Sequence, residues 1–481
     1  MGNYSDTFVC HQCIGEEFLK EEVRRGGEVA QCSFCEQEAE SMAIEELGEQ
    51  VHEVIESYFY LTPSEPEGHE YMLAKEGLWE RDGQPVDELI QDIVGVEPDV
   101  SAEVNEYLSG VYDAWGKDAL MEDQPYDSEA QYAEKKIDTF EFSANWSSFK
   151  HDIRAKSRYF NRHAKNVLDQ IFQNLETLVT HEGDSVIQEI PTNNSEHALY
   201  RARVALSHDD LEKIVYELPE SLGAPPHQYA ESGRMNASGI AVFYGALDIE
   251  TCITEVRAPV GSSVVVGYFH PVRPLRILNL NQLQKVHVTG SFFDPSHLNE
   301  LSRAHFLKLL VDELSLPVMP GSEERDYLPT QFVAEYLAQL DGLNLDGVMF
   351  NSSQVSGDGQ NVVLFNHACG LEPYKLPKGT KVDVSFGWGS PDDYDPTITI
   401  WENVPSEQEE PKEDEAPLGF PSSMFHDDIL SDIDDEGVYQ KETVLRLDIE
   451  GVKVHEVKGV KYDCDSIDVN RHRSEKKEYD F

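Results

Sequence analysis

The sequence predicts an α/β protein of the α+β kind, preceded by a small cysteine-held ribbon and an all-helical region. Three observations carry this reading. Four cysteines near the start are spaced C-x2-C-x18-C-x2-C. Residues 41–180 place their apolar side chains at helical spacing. From about residue 197, alternating apolar runs and short helical patterns interleave too irregularly for a regular Rossmann repeat.

The chain has 481 residues, enough for two or three domains, and 40% of them are hydrophobic. Its 91 acidic residues against 38 Lys and Arg give a formal net charge of −53. The acids run through every region, which fits a halophilic, salt-rich cytoplasm where screening limits self-repulsion. An ordinary acidic protein with an acidic linker is the plainer alternative. A general nucleic-acid binder is disfavoured, because phosphate binding needs a positive surface. No apolar run reaches membrane-span length and no signal peptide opens the chain, so a soluble, cytoplasmic protein is expected. Gly2 follows Met1, but Asp6 stands where a myristoylation motif needs Ser or Thr.

Cys10, Cys13, Cys32 and Cys35 predict a tetrahedral zinc site over residues 1–40. Four thiolates leave no open coordination position, so the zinc should be structural. Cys252, Cys369 and Cys464 are scattered.

A helical domain over 41–185 is expected next. Ile44, Leu47, Val51, Val54, Ile55 and Tyr58 form one apolar stripe, which Pro63 and Pro66 stop. Residues 86–94 and 101–115 read as further helices, the second opened by Ser101, and 144–179 as a long helix. The mixed domain, 195–386, is expected to hold strands at 198–204, 239–246, 262–270, 274–280, 346–351 and 360–366. Its helices fall near 208–217, 249–257, 295–315 and 327–340. Residues 387–440 are Pro/Asp/Glu-rich and read as an acidic linker or insertion. Residues 441–481 hold two or three closing strands and a tail.

Two stretches depart from what packing requires. KHDIRAKSRYFNRHAK, 150–165, is basic in an acidic chain, and helical spacing would place Arg154, Arg158 and Arg162 on one face. It fits a surface paired with the chain's own carboxylates, or an anionic partner such as RNA. The second stretch, GRMNASGIAVFYGALDIETCITEVR, surrounds a tight bend with Arg234, Tyr244 and Glu255. Taken singly these are bland: Tyr244 could be core with Ile240 and Val242, and Glu255 flanks a short helix.

With HALYRARV (197–204), LGAPP (222–226), YLPTQFVAEYLA (327–338), LDGVMFNSSQ (345–354) and NVVLF (361–365), this stretch resembles the RES domain over about 197–385. The ribbon and helices resemble the HEPN-like extension that precedes some RES domains, and Arg158 with His163 fits the Arg-x4-His pattern of HEPN ribonucleases. The RES resemblance implies a fold similar to ADP-ribosyltransferases and NAD+ as substrate, in toxins that consume NAD+ and pair with an antitoxin. It implies catalytic roles for Arg201, Glu255 and Ser352, with Arg234, Tyr244, Arg203 and Asn361 binding the dinucleotide. Arg203 competes with Arg201, and Ser353 with Ser352. Guanidinium groups suit a pyrophosphate, and a carboxylate suits an oxocarbenium-like transition state. The tyrosine ring could stack on nicotinamide with its hydroxyl in solvent. Cleavage of the nicotinamide–ribose bond by a glycohydrolase or phosphorylase is the expected activity. Transfer to a macromolecule, a HEPN-type ribonuclease, and a non-catalytic nucleotide- or partner-binding module are the alternatives.

Overall fold

The computed structural model describes all residues except 1–5, 67, 69, 114–122, 193–197, 317, 319–320, 356, 389–394, 406–440, 462–463, 465, 470 and 472–481. The described residues form two compact units. The first comprises Met1–Val186 and Leu280–Leu314, and the second Ile187–Asn279 and Ser315–Phe481.

The first unit opens with a three-stranded antiparallel sheet of β1 (Phe8–Cys10), β2 (Glu28–Gln31) and β3 (Glu38–Ala43) in the order β1-β3-β2. Helix α1 (Glu17–Gly26) lies in sequence between the two cysteine pairs, and the Glu16 carboxylate caps it by accepting from Leu19 N at 2.7 Å. Helix α2 (Ile44–Tyr58) buries the stripe read from the sequence. Each such aliphatic side chain withdrawn from water contributes about 1.5–3 kcal/mol. Strand β4 (Phe59–Leu61) follows, then α3 (Glu70–Lys75), β5 (Gln84–Pro85) and α4 (Val86–Val94). Gly95 ends α4 in the left-handed conformation, with its N–H on Gln91 O.

Helix α5 spans Pro98–Tyr112, starting earlier than expected. Pro98 occupies the first turn, and Ser101 is buried inside the helix with its hydroxyl on Pro98 O, so it is not the cap. The region is not all-helical either. Strand β6 (Gln131–Glu134) joins β4 and β5 in a small sheet ordered β4-β6-β5.

The long helix expected over 144–179 is broken into α6 (Phe140–Ala155), α7 (Arg162–Ile171) and a 3-10 turn at Leu175–Thr177. The break is made by short polar side chains that satisfy backbone groups locally. Ser157 Oγ donates to Tyr159 O, and Asn161 donates to Ser157 O while capping α7 at Ala164 N. Phe160 takes φ 56° between them. Arg154, Arg158 and Arg162 therefore do not share one helical face.

The second unit is built on a nine-stranded mixed sheet. Its strands are β7 (Ile187–Ile190), β8 (Leu199–Ala205), β9 (Phe243–Ala246), β10 (Ser263–Pro271), β11 (Leu275–Asn279), β12 (Gly347–Asn351), β13 (Gln360–Leu364), β14 (Gly370–Leu371) and β17 (Thr443–Glu456). Their order is β14-β17-β10-β8-β9-β13-β12-β11-β7. Between them run α8 (His208–Tyr216), α9 (Leu218–Leu222), α10 (Ile249–Glu255), α13 (Glu323–Asp326) and α14 (Leu328–Ala338). The segment between β11 and α13 carries α11 (Leu280–Leu283) and α12 (His297–Ser315), and its residues 280–314 complete the first unit. There Phe292, Phe293, Leu298 and Leu301 pack on the core formed by α2, α4 and α5.

Three expectations change here. The strand expected over 239–246 is short, because 239–242 form the end of the bend. The closing strands are one strand, β17, paired along β10 across a register shift between Val266 and Tyr268. Residues 395–403, read as part of an acidic linker, form β16 (Asp395–Asn403), paired with β15 (Lys381–Trp388). Its alternating Thr397, Thr399 and Trp401 against Ile398 and Ile400 is a strand pattern that the flanking acids obscure. Residues 406–440 of that stretch lie outside the described residues.

Candidate active site

The sheet of the second unit is nearly split between β8 and β9. These strands share the single register pair Tyr200↔Ala246, whereas β8 pairs with β10 over seven positions. At this split lies a cavity of about 430 Å³ that includes Arg201, Arg234, Tyr244, Glu255, Phe350 and Asn361 in its lining. The size suits a small-molecule site.

Three elements bring one carboxylate to it. Asp248 caps α10 by accepting from Thr251 N at 2.8 Å and Thr251 Oγ1 at 2.7 Å, which fixes the helix that ends on Glu255. Strand β13 pairs Asn361 with Phe350 of β12 on one side and Ala246 of β9 on the other. Ser352 extends the ladder through its N–H to Gly359 O. As a result, Ser352 Oγ donates to Glu255 Oε1 at 2.5 Å and Asn361 Nδ2 donates to the same oxygen at 2.6 Å. Ser352 Oγ also accepts from Gln354 N at 3.1 Å, which aims its hydrogen at the carboxylate. Among the described residues Oε2 has no such partner. Ser353 lines the cavity and accepts from Gln354 Nε2 instead.

Arg201 reaches the cavity from β8, with its guanidinium carbon 5.1 Å from the centre of the Phe243 ring. Its Nη1 is buried and has no hydrogen-bond partner among the described residues. Burial, with a smaller contribution from Arg203, pushes the guanidinium down to about 10. A buried charged donor without an acceptor is costly in a closed protein and useful in one that takes up an anion. Arg203 does not join it. Two positions further along β8, its side chain is exposed and donates from Nε to Ser221 O at the carboxyl end of α9, 2.8 Å away.

The bend is held from both sides. Asn236 donates to the carbonyls of Glu231, Ala237 and Ile240. The Tyr244 hydroxyl donates to Asn236 Oδ1 and accepts from Met235 N, both at 2.9 Å. The hydroxyl expected in solvent is thus spent on the bend, and burial raises Tyr244 to about 12. Gly233 is required at this contact, since a Cβ there would lie 2.6 Å from both the Tyr244 hydroxyl and Asn236 Oδ1. From α14, Thr330 Oγ1 donates to Arg234 O at 2.5 Å, and Gln331 Nε2 to Gly233 O and Ser232 Oγ. Arg234 Nη2 donates to Leu316 O, and its guanidinium carbon lies 6.0 Å from the Tyr327 ring centre. Nothing in the local sequence marks Thr330, Gln331 or Tyr327 as site residues. YLPTQ was legible only as a motif, because its partners lie about a hundred residues away.

Residues 198–386 match the RES domain family, and residues 25–167 match HEPN/RES N-terminal domain 1. The chain carries a RES domain. No curated protein matches the chain. RES domains are associated with NAD-related toxin systems and are generally NAD-utilising enzymatic domains.

In the first unit, the four ribbon cysteines cluster with all ligand atoms within 4.8 Å of one another. Sγ atoms stand 3.7 Å apart for Cys10 and Cys13, 3.6 Å for Cys10 and Cys35, and 3.8 Å for Cys13 and Cys32. A tetrahedron with metal–sulfur bonds of about 2.3 Å has edges of about 3.8 Å. The set fits a four-coordinate metal and offers no open position. Arg158 and His163 are both exposed and lie on either side of Asn161, the cap that starts α7. His163 Nε2 lies 3.3 Å from Ser148 Oγ on α6. Among the described residues no helix is long and apolar enough to cross a membrane.

Proposed function

We propose that the RES domain cleaves the nicotinamide–ribose bond of NAD+ in an ADP-ribosyltransferase-like cleft, as a cytoplasmic toxin or defence enzyme with a cognate partner. The observation that carries this reading is the Glu255 carboxylate. Its Oε1 is fixed by Ser352 and Asn361, and Oε2 has no hydrogen-bond partner among the described residues. The cavity that Glu255 lines also holds Arg201, whose buried Nη1 has none among them either. As the C–N bond breaks, its electron pair goes to the pyridinium nitrogen, and nicotinamide leaves neutral. Positive charge develops on the ribose, and a carboxylate already held in place stabilises it without reorganisation. Water adds at the anomeric carbon and releases its proton to solvent, giving ADP-ribose. Arg201 and Arg234 bind the pyrophosphate. Tyr244 contributes a ring wall and the rigidity of the bend.

Purified protein incubated with NAD+ should release nicotinamide and ADP-ribose in equal amounts. Nicotinamide released without free ADP-ribose would mean another acceptor: inorganic phosphate if ADP-ribose 1″-phosphate forms in phosphate buffer, a macromolecule if the ADP-ribosyl group stays attached to one. No release in low or molar salt would rule out the activity.

The ribbon cysteines hold a structural zinc. Metal analysis should give one zinc per chain, and its removal should unfold the ribbon, whose folding free energy is largely that of metal binding. A quadruple Cys→Ser variant as stable as the wild type would contradict this.

A further inference from the structure

Arg257 is a strained residue without an internal reason to be there. It follows the end of α10 and takes φ 47°, the left-handed conformation that glycine fills at helix ends and bulky side chains avoid. Its N–H closes the helix on Thr254 O at 3.1 Å, which any residue could do. The side chain makes no hydrogen bond or ion pair among the described residues, although the chain holds 91 acids. It is exposed, and it lines the same cavity as Arg201 and Arg234.

We propose that Arg257 is the third phosphate-binding guanidinium of the cleft. It stands at the entrance and takes an oxygen of the dinucleotide's pyrophosphate that the deeper arginines leave exposed. This rests on the NAD+ reading and deepens it. Among the described residues that line the cavity, three guanidinium groups stand against the single carboxylate of Glu255, a positive balance in a chain of net charge −53. Field lines that the acidic surface turns away from anions are focused here in the opposite sense. Because α10 ends on Glu255 and turns at Arg257, one helix terminus sets both the charge that faces the ribose and the charge that faces the phosphates.

The test uses the full chain with Arg257→Gly, which removes the guanidinium and also relieves the backbone strain. The expected result is an unchanged or higher melting temperature together with a KM for NAD+ raised about tenfold, as for loss of one charge-assisted contact, with kcat within a factor of about two. ADP-ribose should bind weaker by the same factor, while nicotinamide riboside, which lacks the pyrophosphate, binds as before. Arg257→Lys should fall between the two. A glycine variant that is more stable but keeps the wild-type KM and ADP-ribose affinity overturns the proposal. If wild type binds inorganic pyrophosphate, the glycine variant binds it more weakly and NAD+ is not cleaved, the anion site stands and the NAD+ reading falls. Wild type that binds neither pyrophosphate nor ADP-ribose overturns both.

Discussion

Two regions of this acidic chain concentrate positive charge, and they use it in opposite ways. Along 150–165 the lysines are neutralised by carboxylates of their own unit. Lys150 pairs with Glu313 at 2.7 Å, Lys156 with Asp152 at 2.7 Å and Lys165 with Asp169 at 2.8 Å. Arg158 and Arg162 stand in solvent. In the cleft, Arg201 has a buried nitrogen with no hydrogen-bond partner and Arg257 has no ion pair among the described residues. A reversal of charge along a sequence is therefore a weaker sign of a site than an unpaired cation that lines a cavity.

The contrast is sharpest for turnover. Glu255→Gln keeps the shape of the cleft and removes the charge facing the ribose, so kcat for NAD+ should fall by roughly 10²–10³. The affinity for ADP-ribose, read by calorimetry, should stay within about threefold. A variant that retains a tenth or more of the wild-type rate would place the chemistry elsewhere. Next in size is Arg201→Ala. Loss of charge-assisted contacts of about 1.5–3 kcal/mol should weaken ADP-ribose binding about tenfold to a hundredfold. Its melting temperature should not fall much, because an unpartnered buried charge is removed with the side chain. A large loss of stability with unchanged binding would make Arg201 a structural residue and erase the distinction between the two regions.

Smaller effects test the basic segment. Lys150→Ala should cost at most about 1 kcal/mol in denaturant unfolding, since its partner is half-exposed and screened. Arg158→Ala should leave NAD+ turnover within about twofold. An RNA-cleaving activity that Arg158→Ala abolished would reverse the assignment of the two regions. Salt separates them last. Raising it from low to molar should increase the melting temperature of the whole acidic chain while weakening ADP-ribose binding at the exposed Arg257. A melting temperature flat across that range would remove the case for a salt-adapted protein.

How far the sequence was legible follows from the range of the forces involved. Helix α4 falls at residues 86–94 as read, because its stripe of Leu89, Ile90 and Ile93 and its stop at Gly95 are all local. The break after α6 is not legible, because apolar spacing carries no record of Ser157 and Asn161 bonding to nearby backbone. In the cleft, Ser352 and Asn361 entered as motif members. Their shared grip on Glu255 Oε1 depends on the β12–β13–β9 register, which no stretch of sequence states. The same distance hid Gln331 and Thr330. Arg257 was hidden differently: the sequence shows an ordinary arginine after a helix, and only its backbone angle marks it.

The chain passes from the first unit to the second at 186–187, returns at 279–280 and leaves again at 314–315. No single proteolytic cut can release either unit whole. A gene fusion that exchanged only the first 186 residues would strand Phe292, Phe293, Leu298 and Leu301 without the core they pack on. The amino-terminal module and the RES domain are thus interleaved along the chain, and neither can be exchanged as one contiguous piece.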